Sequence, residues 1–298
     1  MEIDKFRIEI GVMVKAGFDI GGTNLRYVLG DEYGNFLIEP EEVKISENPA
    51  RQIIEILESL EEDKDIESVG IATSGVISGN KIERIDTDEH GRLNNIDLSR
   101  LGYETSIGND ANLGALGEQV IREETDVLYI TFSTGIGAGF VNENGLIEGA
   151  NQNAAKIGAY PLDSDFSEIT EKNRGAWEEL CAGKGIADFT EMISEGKVRF
   201  TPEELYTAAS RNPEAREYAD RIGELNAKGI ATAVLSYDPE VVVLGGSIAL
   251  ENEDLFVETV QGHFPKYFPD DYSSPKIEMA GHGKNSELAG ALVYTSKN

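Results

Sequence analysis

Ala16-Gly-Phe-Asp19-Ile-Gly21-Gly22-Thr23-Asn24-Leu-Arg-Tyr-Val-Leu-Gly30-Asp-Glu-Tyr-Gly34-Asn35 and Ile130-Thr-Phe-Ser133-Thr134-Gly135-Ile-Gly137-Ala-Gly139-Phe-Val141-Asn-Glu-Asn144-Gly145 share one layout. Each reads as a strand, a glycine-rich turn, a second strand, an Asn/Gly turn and a third strand. A glycine-rich turn can set backbone N–H groups against phosphate oxygens with no side chain in the way. Two such turns in matching contexts predict a duplicated nucleotide clamp, with a pair of ordinary hairpins as the plain alternative. A dinucleotide-binding turn and a Walker loop both need a helix next, and the Walker loop also needs Gly-Lys-Ser/Thr. Leu25 to Leu29 and Phe140 to Val141 are β-rich instead, and neither turn holds a lysine. Both readings therefore fail on context.

Two further segments complete the pattern. Ser106-Ile-Gly108-Asn109-Asp110-Ala111-Asn112-Leu-Gly114-Ala-Leu-Gly-Glu118 runs from a strand end into a small-residue helix. A carboxylate at that junction stands at the end of a sheet, where open α/β folds place their ligands. Asp110 or Asn112 would also serve as a plain helix cap. Pro239-Glu-Val241-Val-Val-Leu244-Gly245-Gly246-Ser247-Ile248 is a short β-branched run ending in Gly-Gly-Ser, which reads as a buried strand whose terminal glycines admit a flat ligand.

In this order the four segments resemble the actin, hexokinase and Hsp70 nucleotide-binding superfamily, and within it the ROK (repressor, open reading frame, kinase) sugar kinases. The resemblance runs from about Val14 to the C-terminus. It implies a two-lobed, actin-like, ribonuclease H-like α/β fold of duplicated βββαβα units with a cleft between lobes. The expected division is 1–113, joined by a last helix at 286–298, and 114–285. Asp19, Gly21, Gly22, Thr23 and Asn24 look like the first phosphate motif, with Asp19 ordering Mg²⁺ through water. Thr134, Gly135 and Gly137 look like the second phosphate motif, and Gly245 and Gly246 would face adenosine. Gly75-Val76 looks like the substrate-side turn. Asp110 would accept the proton of the attacking sugar hydroxyl and orient it during phosphoryl transfer from ATP, with Asn109 beside it as a further substrate contact. A homodimer is implied by the resemblance alone.

On the sugar side the match departs. The family's Gly-x-Ala-Gly-Glu-Ile-Gly-His corresponds to Asn153-Ala154-Ala155-Lys156-Ile157-Gly158-Ala159, so Lys156 replaces a sugar-binding Glu and Ala159 a His. That His usually joins three cysteines on a structural zinc. Here Ser164 to Arg174 replaces the cysteine stretch, and Cys181 is the single cysteine of the chain. No zinc site is expected. Gly175-Ala-Trp177-Glu178 resembles the segment whose glutamate reaches the sugar, which keeps Glu178 as a hydroxyl acceptor. Asn153 is a further candidate contact. The family's Asn-Leu-Pro-x-Trp stretch is replaced by Asp88-Glu89-His90-Gly91-Arg92-Leu93. Lys156 suits an acceptor bearing a carboxylate or phosphate, or turns outward as a surface residue.

Composition narrows the function further. Against 26 basic residues stand 55 acidic ones, a formal net charge of -29. That balance argues against nucleic acid as a partner, because phosphate binding needs Lys and Arg clusters. The acidity is spread along the chain, as in proteins adapted to concentrated salt; a merely acidic cytosolic protein is the alternative. One cysteine rules out an internal disulfide and suits a reducing compartment. No apolar run is long enough to span a membrane, and Met1 to Val14 carries Glu2, Asp4, Arg7 and Glu9 where a signal peptide needs an apolar stretch. A cytoplasmic location is expected. Eighteen residues precede Asp19, too few for the DNA-binding module of the repressor branch. A nucleotide- or sugar-binding regulator without kinase activity, and an actin-like or Hsp70-like ATPase, are the competing classes.

Local signals place helices over Pro49 to Leu60, from Thr201-Pro202-Glu203-Glu204, over Glu214 to Ser236 and from Asn285-Ser286-Glu287. The third is expected to stop at Asp238-Pro239.

Overall fold

Apolar β-branched runs bounded by glycine or Asx turns become strands, and the 3.6-residue apolar stripes between them become helices. The computed structural model describes residues 13–61, 65–88, 91–150, 153–163 and 175–294. The first segment supplies β1 (Val14–Ile20), β2 (Asn24–Asp31), β3 (Glu41–Lys44) and α1 (Pro49–Glu61). Next come β4 (Ser68–Thr73), β5 (Val76–Ser78), β6 (Lys81–Arg84), β7 (Asn94–Asp97), β8 (Glu104–Asn109) and α2 (Asp110–Gln119). The second repeat opens with β9 (Val127–Phe132), β10 (Ile136–Asn142) and β11 (Gly145–Leu146). It continues through α3 (Trp177–Cys181), α4 (Gly183–Ile193), α5 (Pro202–Ala209) and α6 (Pro213–Tyr237). The last elements are β12 (Val241–Gly245), α7 (Ser247–Glu251), α8 (Glu253–Tyr267), β13 (Lys276–Met279) and α9 (Ser286–Val293).

The duplication expected from the two glycine turns is explicit in the sheets. One has the order β3-β2-β1-β4-β8 and the other β11-β10-β9-β12-β13, with a small β5-β6-β7 sheet besides. In each large sheet the first three strands of the repeat are antiparallel neighbours, and the two added strands run parallel to the first.

The chain divides into two compact units after Glu123 and after Lys284, so that α9 returns to the first. The expected boundary at 113/114 would cut α2 in mid-helix. α2 stays with the first unit because it meets α9 at backbone distance: a Cβ on Gly117 would lie 2.0 Å from the Ser286 carbonyl oxygen. This contact explains the run of small residues after Asp110. The first unit's core gathers Phe18, Ile20, Leu25, Ile53, Leu57 and Ile71.

In the second unit the core centres on Trp177, Phe132 and Phe256, with Phe132 edge-on to both other rings. The Trp177 indole N–H donates to Asn226 Oδ1 at 2.8 Å, which satisfies its one polar atom. A Cβ at Gly229 would stand 2.5 Å from that ring, so the helix tolerates a glycine there. The capping box of α5 forms as read, with Glu204 N–H donating to Thr201 Oγ1 and Thr201 N–H to Glu204 Oε2. α6 ends at Asp238 in the left-handed region, φ 48°, because the following Pro239 disfavours a further helical residue.

Candidate active site

Strand register brings the first unit's expected residues to one sheet edge. Asp19 pairs with Ala72 and Ile20 with Thr73 across β1 and β4; Ala72 pairs with Gly108 and Thr73 with Asn109 across β4 and β8. All three strands run parallel and end level, so Asp19 and the β8–α2 junction lie two strand spacings apart, roughly 10 Å. Gly75 follows the middle strand. Asn109 is the residue that caps α2, its Oδ1 accepting from Asn112 N–H at 3.4 Å. Neither Asp110 nor Asn112 is the cap. Asp110 opens the helix with Oδ1 accepting from Ala111 N–H at 2.8 Å, a place where the helix dipole favours a negative charge.

Asp19 does not stand alone. Its Oδ2 accepts from Arg26 Nε at 3.0 Å and Nη2 at 2.5 Å, and the same guanidinium reaches Glu287 Oε2 at 3.2 Å. Arg26 is the direct cross-strand partner of Asp19 in the β1–β2 hairpin, and Glu287 sits in the first turn of α9. Burial opposes the charge on Arg26, yet the two carboxylates outweigh it and its pKa is raised. Burial, reinforced by Asp19 and Asp110 and opposed by Arg26, pushes the Glu287 carboxyl up to about 7. Asp19 and Glu287 thus share one guanidinium, and Asp110 adds its charge at Glu287. Among the described residues no three carboxylate, histidine or cysteine side chains gather to hold a bare ion, so a divalent cation beside Asp19 would have to keep most of its water, as Mg²⁺ commonly does.

The Glu287 shift carries a stability consequence with a definite sign. Because the folded protein holds the proton above the ordinary carboxylate range, it binds more protons than the unfolded chain between about pH 4.5 and 7. This contribution is fully present below pH 4.5 and is lost as pH rises through 7. Urea unfolding of wild type and Glu287→Gln from pH 5 to 8 is expected to show the variant gaining roughly 2 kcal/mol relative to wild type. A parallel pH dependence of the two proteins would contradict the assigned shift.

The first glycine turn is more self-contained than its sequence suggests. Gly21 N–H donates to Asn24 O at 3.0 Å, and Gly22 N–H to Thr87 Oγ1 at 3.0 Å. The Asn24 side chain is tied to β3, donating to Glu42 and accepting from Lys44 Nζ. Within the described residues no group takes the N–H of Thr23, which is exposed.

The second unit repeats the edge. Thr131 pairs with Gly245 and Phe132 with Ile136, so the Ser133–Gly135 turn lies beside the Gly245-Gly246 turn, and Ser133 Oγ meets Ser247 Oγ at 3.2 Å. Among the described residues the N–H groups of Thr134 and Gly135 have no protein acceptor, so they suit a phosphate. Gly137 lies past the turn, within β10 opposite Thr131. Gly245 and Gly246 have structural reasons of their own: a Cβ at the first would strike the Tyr129 ring, and the second has φ 83° against the Phe132 backbone. Glu178 Oε2 would lie 3.1 Å from a Cβ on Gly135 and 3.0 Å from one on Gly158. The carboxylate therefore lies between the Ser133–Gly135 turn and the Ile157–Ala159 turn that follows Lys156. Lys156, Asn153 and Ala159 are exposed. Ser164 to Arg174, the stretch expected in place of a zinc loop, and Glu89 and His90 lie outside the described residues.

Residues 15–298 match the ROK family. The chain belongs to that family. This ROK protein is 26 % identical over 287 residues to a glucokinase of Pyrobaculum calidifontis, with 94 % of each chain covered. It is 27 % identical over 307 residues to an N-acetyl-D-glucosamine kinase of Vibrio cholerae, covering 94 % of this chain and 99 % of that one. The crystal structure of the ROK hexokinase from Thermus thermophilus superposes with a TM-score of 0.81 at 25 % identity, covering 94 % and 97 % of the two chains. The ROK protein thus has the actin-like α/β fold that its glycine turns implied. Among its described residues no helix is long and apolar enough to cross a membrane.

Proposed function

We propose that this ROK protein is an ATP-dependent sugar kinase that transfers the γ-phosphoryl group of ATP to a sugar hydroxyl. The observation that carries the proposal is the level ending of β1, β4 and β8, which sets Asp19 and Asp110 at one edge, in a chain that matches the family over almost its whole length. Asp110 accepts the proton of the attacking hydroxyl and orients its oxygen; the loose transition state asks for orientation more than for a strong base. Asp19, held by Arg26, would hold Mg²⁺ through bound water, and the cation would supply charge neutralisation at the phosphates. Thr134 and Gly135 offer unspent N–H groups to phosphate oxygens, and Thr23 offers one from the first turn. Gly245 and Gly246 border the adenosine position. Glu178 accepts from sugar hydroxyls, with Asn153 and Gly75 as further contacts. Work in the cytoplasm as a homodimer, without nucleic acid, belongs to the same proposal and rests on the resemblance and the charge of -29.

ADP production with Mg·ATP, measured across neutral, N-acetylated and acidic sugars at low and molar KCl, tests this function. One sugar is expected to raise turnover well above background, with activity gaining from salt because screening relieves carboxylate repulsion. Binding of ATP with no sugar-stimulated turnover would favour a regulator instead. The altered position Lys156 supports acceptance of an anionic sugar. Lys156→Glu is expected to raise KM for that sugar roughly tenfold and leave KM for a neutral one within twofold. Equal use of glucose and acidic sugars, unchanged by the substitution, would remove this specificity from the proposal.

A further inference from the structure

One short segment, Arg84 to Asp88, lies under two of the site's turns. A Cβ on Gly22 would stand 2.2 Å from the Thr87 carbonyl oxygen and 2.9 Å from Asp88 N; a Cβ on Gly75, whose φ is 115°, would stand 2.1 Å from the Arg84 carbonyl oxygen. Both glycines are required because the backbone approaches too closely for any side chain. The contact at Gly22 is also polar. Thr87 Oγ1 accepts the Gly22 N–H at 3.0 Å and shares a hydrogen bond with Ser74 Oγ at 3.2 Å. Next along the chain, Thr73 Oγ1 donates to Ile20 O at 3.1 Å, at the start of the same turn. The segment is itself closed by the buried Asp88, whose Oδ2 accepts from Leu93 N–H at 2.6 Å.

We infer that Thr87 is the positioning residue of the first phosphate turn: its hydroxyl holds the Gly22 N–H inward, so that the turn presents Thr23 rather than Gly21 or Gly22 to a phosphate. Gly21 N–H is spent on Asn24 O and Gly22 N–H on Thr87, which leaves the exposed Thr23 as the outward donor of the turn. A turn clamped at both glycines keeps that donor in place before the nucleotide arrives, and preorganisation of this kind lowers the entropy lost on binding. Thr87 touches neither phosphate nor sugar in this arrangement. It acts through Gly22.

The inference rests on the kinase reading for its nucleotide, so the first measurement uses the nucleotide-free protein. Amide hydrogen exchange at Gly22 is expected to quicken roughly tenfold in Thr87→Val, which keeps the shape and loses the hydroxyl, and to return close to wild type in Thr87→Ser. Calorimetry with Mg·ATP is then expected to give a Kd raised roughly fivefold in Thr87→Val and restored in Thr87→Ser, with KM for the sugar within twofold throughout. Unchanged Gly22 exchange in Thr87→Val would overturn the clamp itself, whatever the ligand. Tighter ATP binding in Thr87→Val would overturn it too, showing that Thr87 competes with phosphate for the Gly22 N–H. The expected exchange pattern with no ATP binding in wild type would instead bring down the kinase reading, and the positioning role with it.

Discussion

Asp110→Asn is expected to lower kcat for phosphoryl transfer to the sugar by roughly 10²–10⁴-fold while leaving KM for Mg·ATP within about threefold. The substitution is nearly isosteric, and an amide oxygen can still accept from Ala111 N–H, so the α2 start and its Asn109 cap persist. What is lost is the proposed acceptor for the hydroxyl proton and one negative charge at the strand edge. The charge has a second, separable effect. Asp110 is among the groups that push Glu287 up, so its removal is expected to draw the Glu287 carboxyl down from about 7. Following the Glu287 titration by carboxyl NMR beside the kinetics separates the two effects. A kcat within tenfold of wild type would take the hydroxyl-orienting role away from Asp110, even if the Glu287 shift appeared as expected.

Much of this site is legible in the chain because it is built from hairpins. Arg26 could have been found by counting outward from the first glycine turn, since Ile20 faces Leu25 and Asp19 therefore faces Arg26. Opposite charges directly across a hairpin stabilise the pair, so this partner is encoded locally in the sequence. Glu287 and Thr87 are a different case. Glu287 meets Arg26 across 261 positions and Thr87 meets Gly22 across 65, and no local periodicity encodes contacts of that range. Asp110 looked like a cap because its type suits the role, but Asn109 precedes it with an extended backbone, and the cap is the last non-helical residue. In the sequence, the glycines of the phosphate motifs look like space left for a ligand. At Gly22, Gly245 and Gly246 that space is filled by the protein's own backbone or by Tyr129. Sequence alone cannot distinguish a glycine that admits a ligand from one that admits a neighbouring strand or segment.

The same ambiguity is resolved for the helix glycines by a pair of substitutions, Gly290→Ala and Gly262→Ala. Each adds one methyl group in a helix, where alanine is intrinsically favoured over glycine by about 1 kcal/mol. At Gly262, in α8, nothing lies within 4 Å of the added Cβ, so the protein is expected to gain roughly 0.5–1 kcal/mol. At Gly290, in α9, the Cβ would fall 1.7 Å from the Leu113 carbonyl oxygen and 2.4 Å from its carbonyl carbon. Both atoms belong to the α2 backbone and cannot rotate away. α9 cannot retreat either, because on another side the Ala291 carbonyl oxygen stands 1.7 Å from the Cβ position of Gly70 in β4. The helix is wedged between α2 and the sheet, and relief requires moving a buried backbone that also carries Glu287 and the Ser286 hydroxyl bonded to Glu118. Gly290→Ala is therefore expected to cost about 3 kcal/mol or more by urea unfolding, opposite in sign to Gly262→Ala. Equal effects of the two substitutions would mean that α9 does not pack against α2 at backbone distance, and the return of the last helix to the first unit would lose its physical basis.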